Sequence, residues 1–255
     1  MLGVVDPVVE ALAAEHLELA DLLEGLSETE WSAPTRCVGW DVSDVVLHLA
    51  QSDAMAIASA SGALGERAAV ASRTQDGAGG VDDMAASMVE RERGLSNEEL
   101  LARWSWRGRE LVEVLDSMDL STRVEWVAGD LSARTLATTR QSETWIHAGD
   151  VADAVGAEQI PSHRLRFVAR LAWRTLPYAF ASAGLTMAGP ASFHLVSPSG
   201  SAWAFVPDGT PATVIKGPAA ELCCVAARRL DPANTSLSGS GPDVCRILTL
   251  VRTYA

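Results

Sequence analysis

At 255 residues the chain is long enough to bury a sizeable core and to form two domains. Apolar residues make up 48% and charged residues 21%, the ordinary balance of a globular protein. The net charge of −13 comes with no basic cluster, which argues against a nucleic acid partner, because neutralising phosphates needs concentrated Lys and Arg. No apolar run reaches the roughly 18 residues of a membrane span. The start of the chain has no basic region and an early Asp6, unlike a secretory signal. The expected location is the cytoplasm.

The first 156 residues read as helices. Asp6 and Pro7 supply an N-cap and a proline at the first helical position, and Val8, Leu12, Leu19, Leu23 and Leu26 follow as an amphipathic stripe. Ser27 to Glu30 is a capping box that opens a short turn containing Trp31. Residues 34–39 read as loop, and Asp41 with Asp44 caps the next helix, in which Val42, Val45, Val46 and Leu49 surround His48. A Gly-rich stretch near Gly77 to Gly80 interrupts the pattern. Ser96 and Glu99 cap a helix with Leu100, Trp104, Leu111 and Leu115 on one side. The last long helix runs from about Ser132 to Val155 and stops at Gly156. Four long helices with inward apolar stripes make a bundle.

From Ile160 to about Ala183 the chain still looks helical, with Phe167, Leu171 and Trp173. Beyond Gly189 the period changes to two. Residues 191–196 and 201–206 alternate around a Pro198–Gly200 turn, and 212–215 is a third strand candidate. Pro218 to Arg229 reads as a helix closed by Arg228 and Arg229, Asn234 to Ser238 as a strand, and Asp243 to Tyr254 as a final helix. The expected fold class is therefore α+β: a four-helix bundle over 1–157, a connecting helix over 158–188, and a small α+β domain over 189–255.

Cys37, Cys223, Cys224 and Cys245 show no C-x-x-C spacing, so a zinc ribbon or a redox motif is not expected. In a reducing compartment they are free thiols. Lys216 is the only lysine among twenty Lys and Arg residues, a bias that suggests a GC-rich genome.

The chemistry-bearing pattern is Glu143 and His147, four residues apart on one helix face, with His48 far upstream. Two imidazoles and a carboxylate are the ligand set of a catalytic zinc site with one position left open. The bland alternative is a solvated helix face for Glu143 and His147 and a satisfied core histidine for His48. Asp150, three residues after His147, either orients that ring or caps the helix end. Arg140, three residues before Glu143, either pairs with it or holds an anionic substrate. Cys37 is either a fourth ligand or a packed loop thiol, and Trp40 either core or a stacking surface for a bound molecule.

Trp31, Pro34, Thr35, Cys37, Gly39, Trp40, Val42, Asp44, Val45 and His48 together resemble the signature of the DinB-like superfamily, in particular its mycothiol-dependent maleylpyruvate isomerase branch. The E-x-x-x-H helix from Arg140 to Asp153 is similar to the one that carries that family's second and third metal ligands. The segment from Trp126 to Arg134 is similar to an actinobacterial subgroup. The C-terminal region resembles the sterol-carrier-like domain appended in that branch. The resemblance implies zinc, or another divalent metal, held by His48, Glu143 and His147, with mycothiol as co-substrate. A thiolate then attacks an electrophilic small molecule, and the adduct either collapses to an isomer or persists as an S-conjugate. It also implies that Arg229, beside Arg228, reaches the substrate pocket in a cleft between the two domains; the alternative for these arginines is a cation favoured by the helix C-terminal dipole. The oligomeric expectation is monomer or homodimer. Two other classes stay open: a zinc hydrolase that activates water with the same ligands, and a non-catalytic protein carrying an apolar ligand.

Overall fold

The computed structural model describes residues 5–64, 81–127 and 129–253; the Gly-rich stretch Gly77 to Gly80 lies outside them. The chain divides into two compact units, Met1–Gln159 and Ile160–Ala255.

In the first unit, α1 (Pro7–Glu24) begins where Asp6 accepts a hydrogen bond from the Val8 N–H at 3.1 Å. The short α2 (Glu28–Trp31) and the long α3 (Val42–Ala60) both open on reciprocal capping boxes, Ser27 with Glu30 and Asp41 with Asp44. α4 (Val81–Glu92) precedes α5 (Asn97–Ser117), which starts on the Ser96–Glu99 box. A two-strand ribbon, β1 (Arg123–Val124) against β2 (Leu131–Ser132), leads into α6 (Ala133–Val155). Ser132 accepts from the Thr135 N–H to start α6, and Gly156, at φ 70°, ends it. A side chain there would cost about 1 kcal/mol in the left-handed conformation.

α1 and α3 each pack on both α5 and α6, so the four long helices close in the order α1, α5, α3, α6. The apolar stripes meet inside, with Leu19, Leu23, Val42, Val45, Val46, Leu49, Leu100, Trp104 and Val151 in one cluster. α6 departs from a simple amphipathic pattern. Alongside Leu136, Trp145 and Val151 it buries Arg140, Gln141, His147 and Asp150. The polar stripe on this helix therefore points into the bundle and is not a solvated face. Among the described residues no helix is long and apolar enough to cross a membrane.

The second unit opens with two helices, where the periodicity suggests one: α7 (Leu165–Arg174) and α8 (Leu176–Ser182). The break falls at Thr175 because Pro177 has no N–H to continue the ladder and its ring crowds the preceding turn. A four-stranded sheet follows in the order β4, β3, β5, β6. β3 (Ala191–Val196) pairs antiparallel with β4 (Ala202–Phe205) and parallel with β5 (Thr213–Pro218). β6 (Ser238–Ser240) pairs antiparallel with β5. β6 lies later than the expected 234–238, since Asp231 and Pro232 start a turn of 3-10 helix through Asn234. Gly239 is required there: a Cβ would lie 2.3 Å from the Val214 carbonyl oxygen.

α9 (Ala219–Ala226) packs on α7, and α10 (Val244–Leu250) ends before the expected Tyr254, which lies outside the described residues. α9 also stops before Arg228 and Arg229. These two arginines form its terminal turn: the Arg228 N–H donates to Val225 O at 3.0 Å and the Arg229 N–H to Cys224 O at 2.8 Å. Such a turn needs a left-handed residue, and Arg228 takes it at φ 60°, the one non-glycine among the described residues to do so.

Candidate metal centre

His48 comes from α3 and Glu143 and His147 from α6, two helices in direct contact. One ligand atom from each of the three lies within 4.8 Å of the others. His48 Nε2 is 2.7 Å from Glu143 Oε1, and the two imidazole rings meet edge-on with centroids 5.1 Å apart. The His48 and His147 side chains are 13% and 11% exposed and that of Glu143 29%, so the cluster is inside the bundle yet open on the Glu143 side.

Electrostatics prepare Glu143 and His147 for a cation. Burial acts to raise the Glu143 carboxyl, but the charge of Arg140 and the hydrogen bond from His48 outweigh it and hold it far below the usual carboxylate range. Burial pushes the His147 imidazole down; the hydrogen bond to Asp150 opposes this and the nearby His48 reinforces it, and the net direction is down. The site therefore presents an ionised carboxylate and a neutral imidazole, the protonation states that ligands need. His147 Nδ1 is 2.9 Å from Asp150 Oδ2. A carboxylate only accepts, so Nδ1 carries the proton and the lone pair is on Nε2. This donor set fits zinc.

Asp150, buried, thus orients His147. The same Oδ2 accepts from the Cys37 thiol at 3.3 Å, and Cys37 Sγ lies 3.9 Å from His147 Nδ1. Cys37, His147 and Asp150 form a second close group with ligating atoms. Arg36 pairs with Asp153 and reaches Asp150 Oδ1 at 3.9 Å. Trp40 tilts against His48 with ring centroids 5.1 Å apart. It also lines a concavity of about 660 Å³ together with Thr35, Asp44, Leu47 and Arg93, a space that none of the three candidate ligands borders.

Arg140 is completely buried, with its guanidinium committed to Glu143 and Asp53; this is the ion-pair arrangement and not one open to a substrate anion. Asp53 and His16, which extend this network, have no short-range spacing to Glu143 that would single them out. A signal existed for His16 alone: it is four residues after Leu12 and three before Leu19, on the apolar stripe of α1. Arg228 and Arg229 belong to the second unit. There Arg228 Nη1 donates to Thr249 O at 2.6 Å and Arg229 Nη1 to Ala227 O at 2.9 Å.

Comparison with known proteins bears on the family and the fold. The family described as mycothiol maleylpyruvate isomerase N-terminal domain matches residues 12–152, the span that carries all three candidate ligands. An uncharacterized protein of Mycobacterium tuberculosis, found in two strains, is 32% identical over 250 residues, covering 98% of this chain and 95% of its own. The crystal structure of the mycothiol-dependent maleylpyruvate isomerase superposes with a TM-score of 0.59 at 18% identity, covering 91% of each chain. A histidine-to-alanine mutant of that enzyme gives a TM-score of 0.57. The α+β fold is shared with these structures, and the chain belongs to the mycothiol maleylpyruvate isomerase N-terminal domain family.

Proposed function

We propose that this chain is a metal-dependent enzyme that uses a small-molecule thiol, mycothiol, to attack an electrophilic metabolite, as a thiol-dependent isomerase or an S-transferase. The observation that carries the reading is the convergence of His48, Glu143 and His147 from facing helices to within 4.8 Å. These residues would hold a divalent ion, zinc first, with nickel or iron accepted by the same donors. When bound, that ion supplies a low thiol pKa, and so a thiolate nucleophile at neutral pH.

The chain's own residues do the rest. Asp150 fixes the tautomer of His147 and so aims its Nε2 lone pair. Arg140 takes up Glu143 Oε2 and leaves Oε1 toward His48. Trp40 limits how far the His48 ring can turn. Cys37 donates to Asp150, so the nucleophile is an external thiol. The resemblance implies that Arg229 reaches toward the substrate pocket, a role read by the KM of Arg229→Ala, and Arg228 is assigned to the bound thiol. A reaction of this kind suits the thiol-rich cytoplasm.

The test is turnover of activated alkenes and α,β-unsaturated acids with and without mycothiol. Thiol-dependent turnover that disappears in His48→Ala, with helix content unchanged, is the expected result. Full-rate turnover without thiol would overturn it in favour of a hydrolase.

A further inference from the structure

Behind the metal-facing carboxylate the bundle buries a further set of ionisable groups. Arg140 bridges Glu143 and Asp53: on the Asp53 side Nε donates to Oδ1 at 3.0 Å, and Nη2 lies 2.9 Å from the same oxygen at an angle too bent for a second hydrogen bond. Asp53 is fully buried, and its other oxygen, Oδ2, is 3.0 Å from His16 Nε2. His16 Nδ1 is 3.0 Å from the Leu12 carbonyl oxygen. The ring thus bridges Asp53 to the backbone of its own helix. The line from Leu12 through His16, Asp53 and Arg140 to Glu143 joins α1, α3 and α6.

The fourth helix makes room for it. A Cβ on Gly108, in the middle of α5, would lie 2.7 Å from His16 Cδ2, and Trp104 packs its ring 5.4 Å from the imidazole. A helix-interior glycine costs about 1 kcal/mol relative to alanine. α5 therefore gives up helix propensity and a side chain to seat His16, which marks the network as built.

We infer that Asp53 and His16 are positioning residues that act on the metal through Arg140 and Glu143, an inference that rests on the proposed function. Arg140 alone would place a full positive charge on Glu143 and compete with a bound cation. Asp53 shares that charge and fixes the guanidinium on Oε2, so Oε1 keeps its charge and its direction. His16 in turn holds the second oxygen of Asp53.

The experiment measures zinc affinity by chelator competition and the visible spectrum of the cobalt-loaded full chain. It compares wild type, Asp53→Asn, Gly108→Ala and, as a stability control, the core truncation Leu23→Ala. Asp53→Asn is expected to weaken zinc binding by about 10–100-fold and to shift the cobalt bands. Gly108→Ala, which alters no ionisable group, is expected to weaken it less, in the same direction. Leu23→Ala should lower thermal stability and leave both readouts unchanged. Wild-type affinity and spectrum in folded Asp53→Asn overturn the inference; if that variant does not fold, wild-type behaviour in Gly108→Ala overturns it. A wild-type chain that binds neither ion, or binds equally well after His48→Ala, defeats the proposed function itself.

Discussion

The two units bury polar side chains for different ends. In the second unit buried Asp243 and Thr213 serve the backbone: Asp243 accepts from the Ala188 N–H at 2.6 Å, and its own N–H donates to Thr213 Oγ1 at 3.3 Å. In the first unit buried His16, Asp53 and Arg140 form a line that ends at partly exposed Glu143, and beside it buried His147 pairs with buried Asp150. Buried ion pairs add little net stability, because desolvation offsets their attraction. A bundle that has apolar alternatives on every helix yet keeps a charged interior beside a carboxylate and two imidazoles is organised for the site. The two ends are thus distinguishable: damage to the second unit's buried polar groups should cost stability and leave the metal in place, whereas damage to the first unit's should cost the metal as well.

The sharpest break of that contrast is His147→Ala. Wild type should bind about one zinc per chain, and the variant should bind at least about 100-fold more weakly with its helices intact by circular dichroism; unchanged zinc content would contradict the assignment. Asp243→Ala should do the reverse, lowering the stability of the second unit by about 1–3 kcal/mol in denaturant melts while zinc content stays at the wild-type level.

Acid sharpens the same division. His147 is depressed in the folded state, so folding resists its protonation, and stability falls as pH drops below the unfolded value of about 6.5. Asp53 and Glu143, also depressed, add stability that is present above about pH 4 and lost as pH falls through their folded values. Melting of the metal-free chain between pH 7 and 5 should therefore fall more for wild type than for His147→Gln, and equal slopes would refute the His147 contribution. The smallest effect is in the second unit. Arg228→Gly should be more stable than Arg228→Ala by about 1 kcal/mol, since only glycine takes φ 60° without strain.

What was legible in the sequence follows from how local each signal is. The capping boxes at Ser27, Asp41 and Ser96 and the left-handed stop at Gly156 depend on neighbours within a few residues, and the structure has all four. Glu143 and His147 share a face by helix geometry alone, whereas His48, 95 positions away, joins them only by its ligand type and its place within a helix, a link that the resemblance reinforces. Asp53 and His16 were missed because their partners are remote, 87 positions from Asp53 to Arg140 and 37 from His16 to Asp53. The parallel pairing of β3 with β5 is equally non-local. At Thr175 a proline did signal the break, but the apolar period continued across it and hid the interruption.

The central claim is that three protein ligands hold the metal and leave a place for an outside thiol. X-ray absorption at the zinc edge tests it directly. Zinc in the chain alone should show only nitrogen and oxygen neighbours, and saturating mycothiol should add one sulfur at about 2.3 Å. Sulfur present before thiol is added would make Cys37 a ligand, and no sulfur at saturation would remove the thiol from the metal; either result contradicts the account.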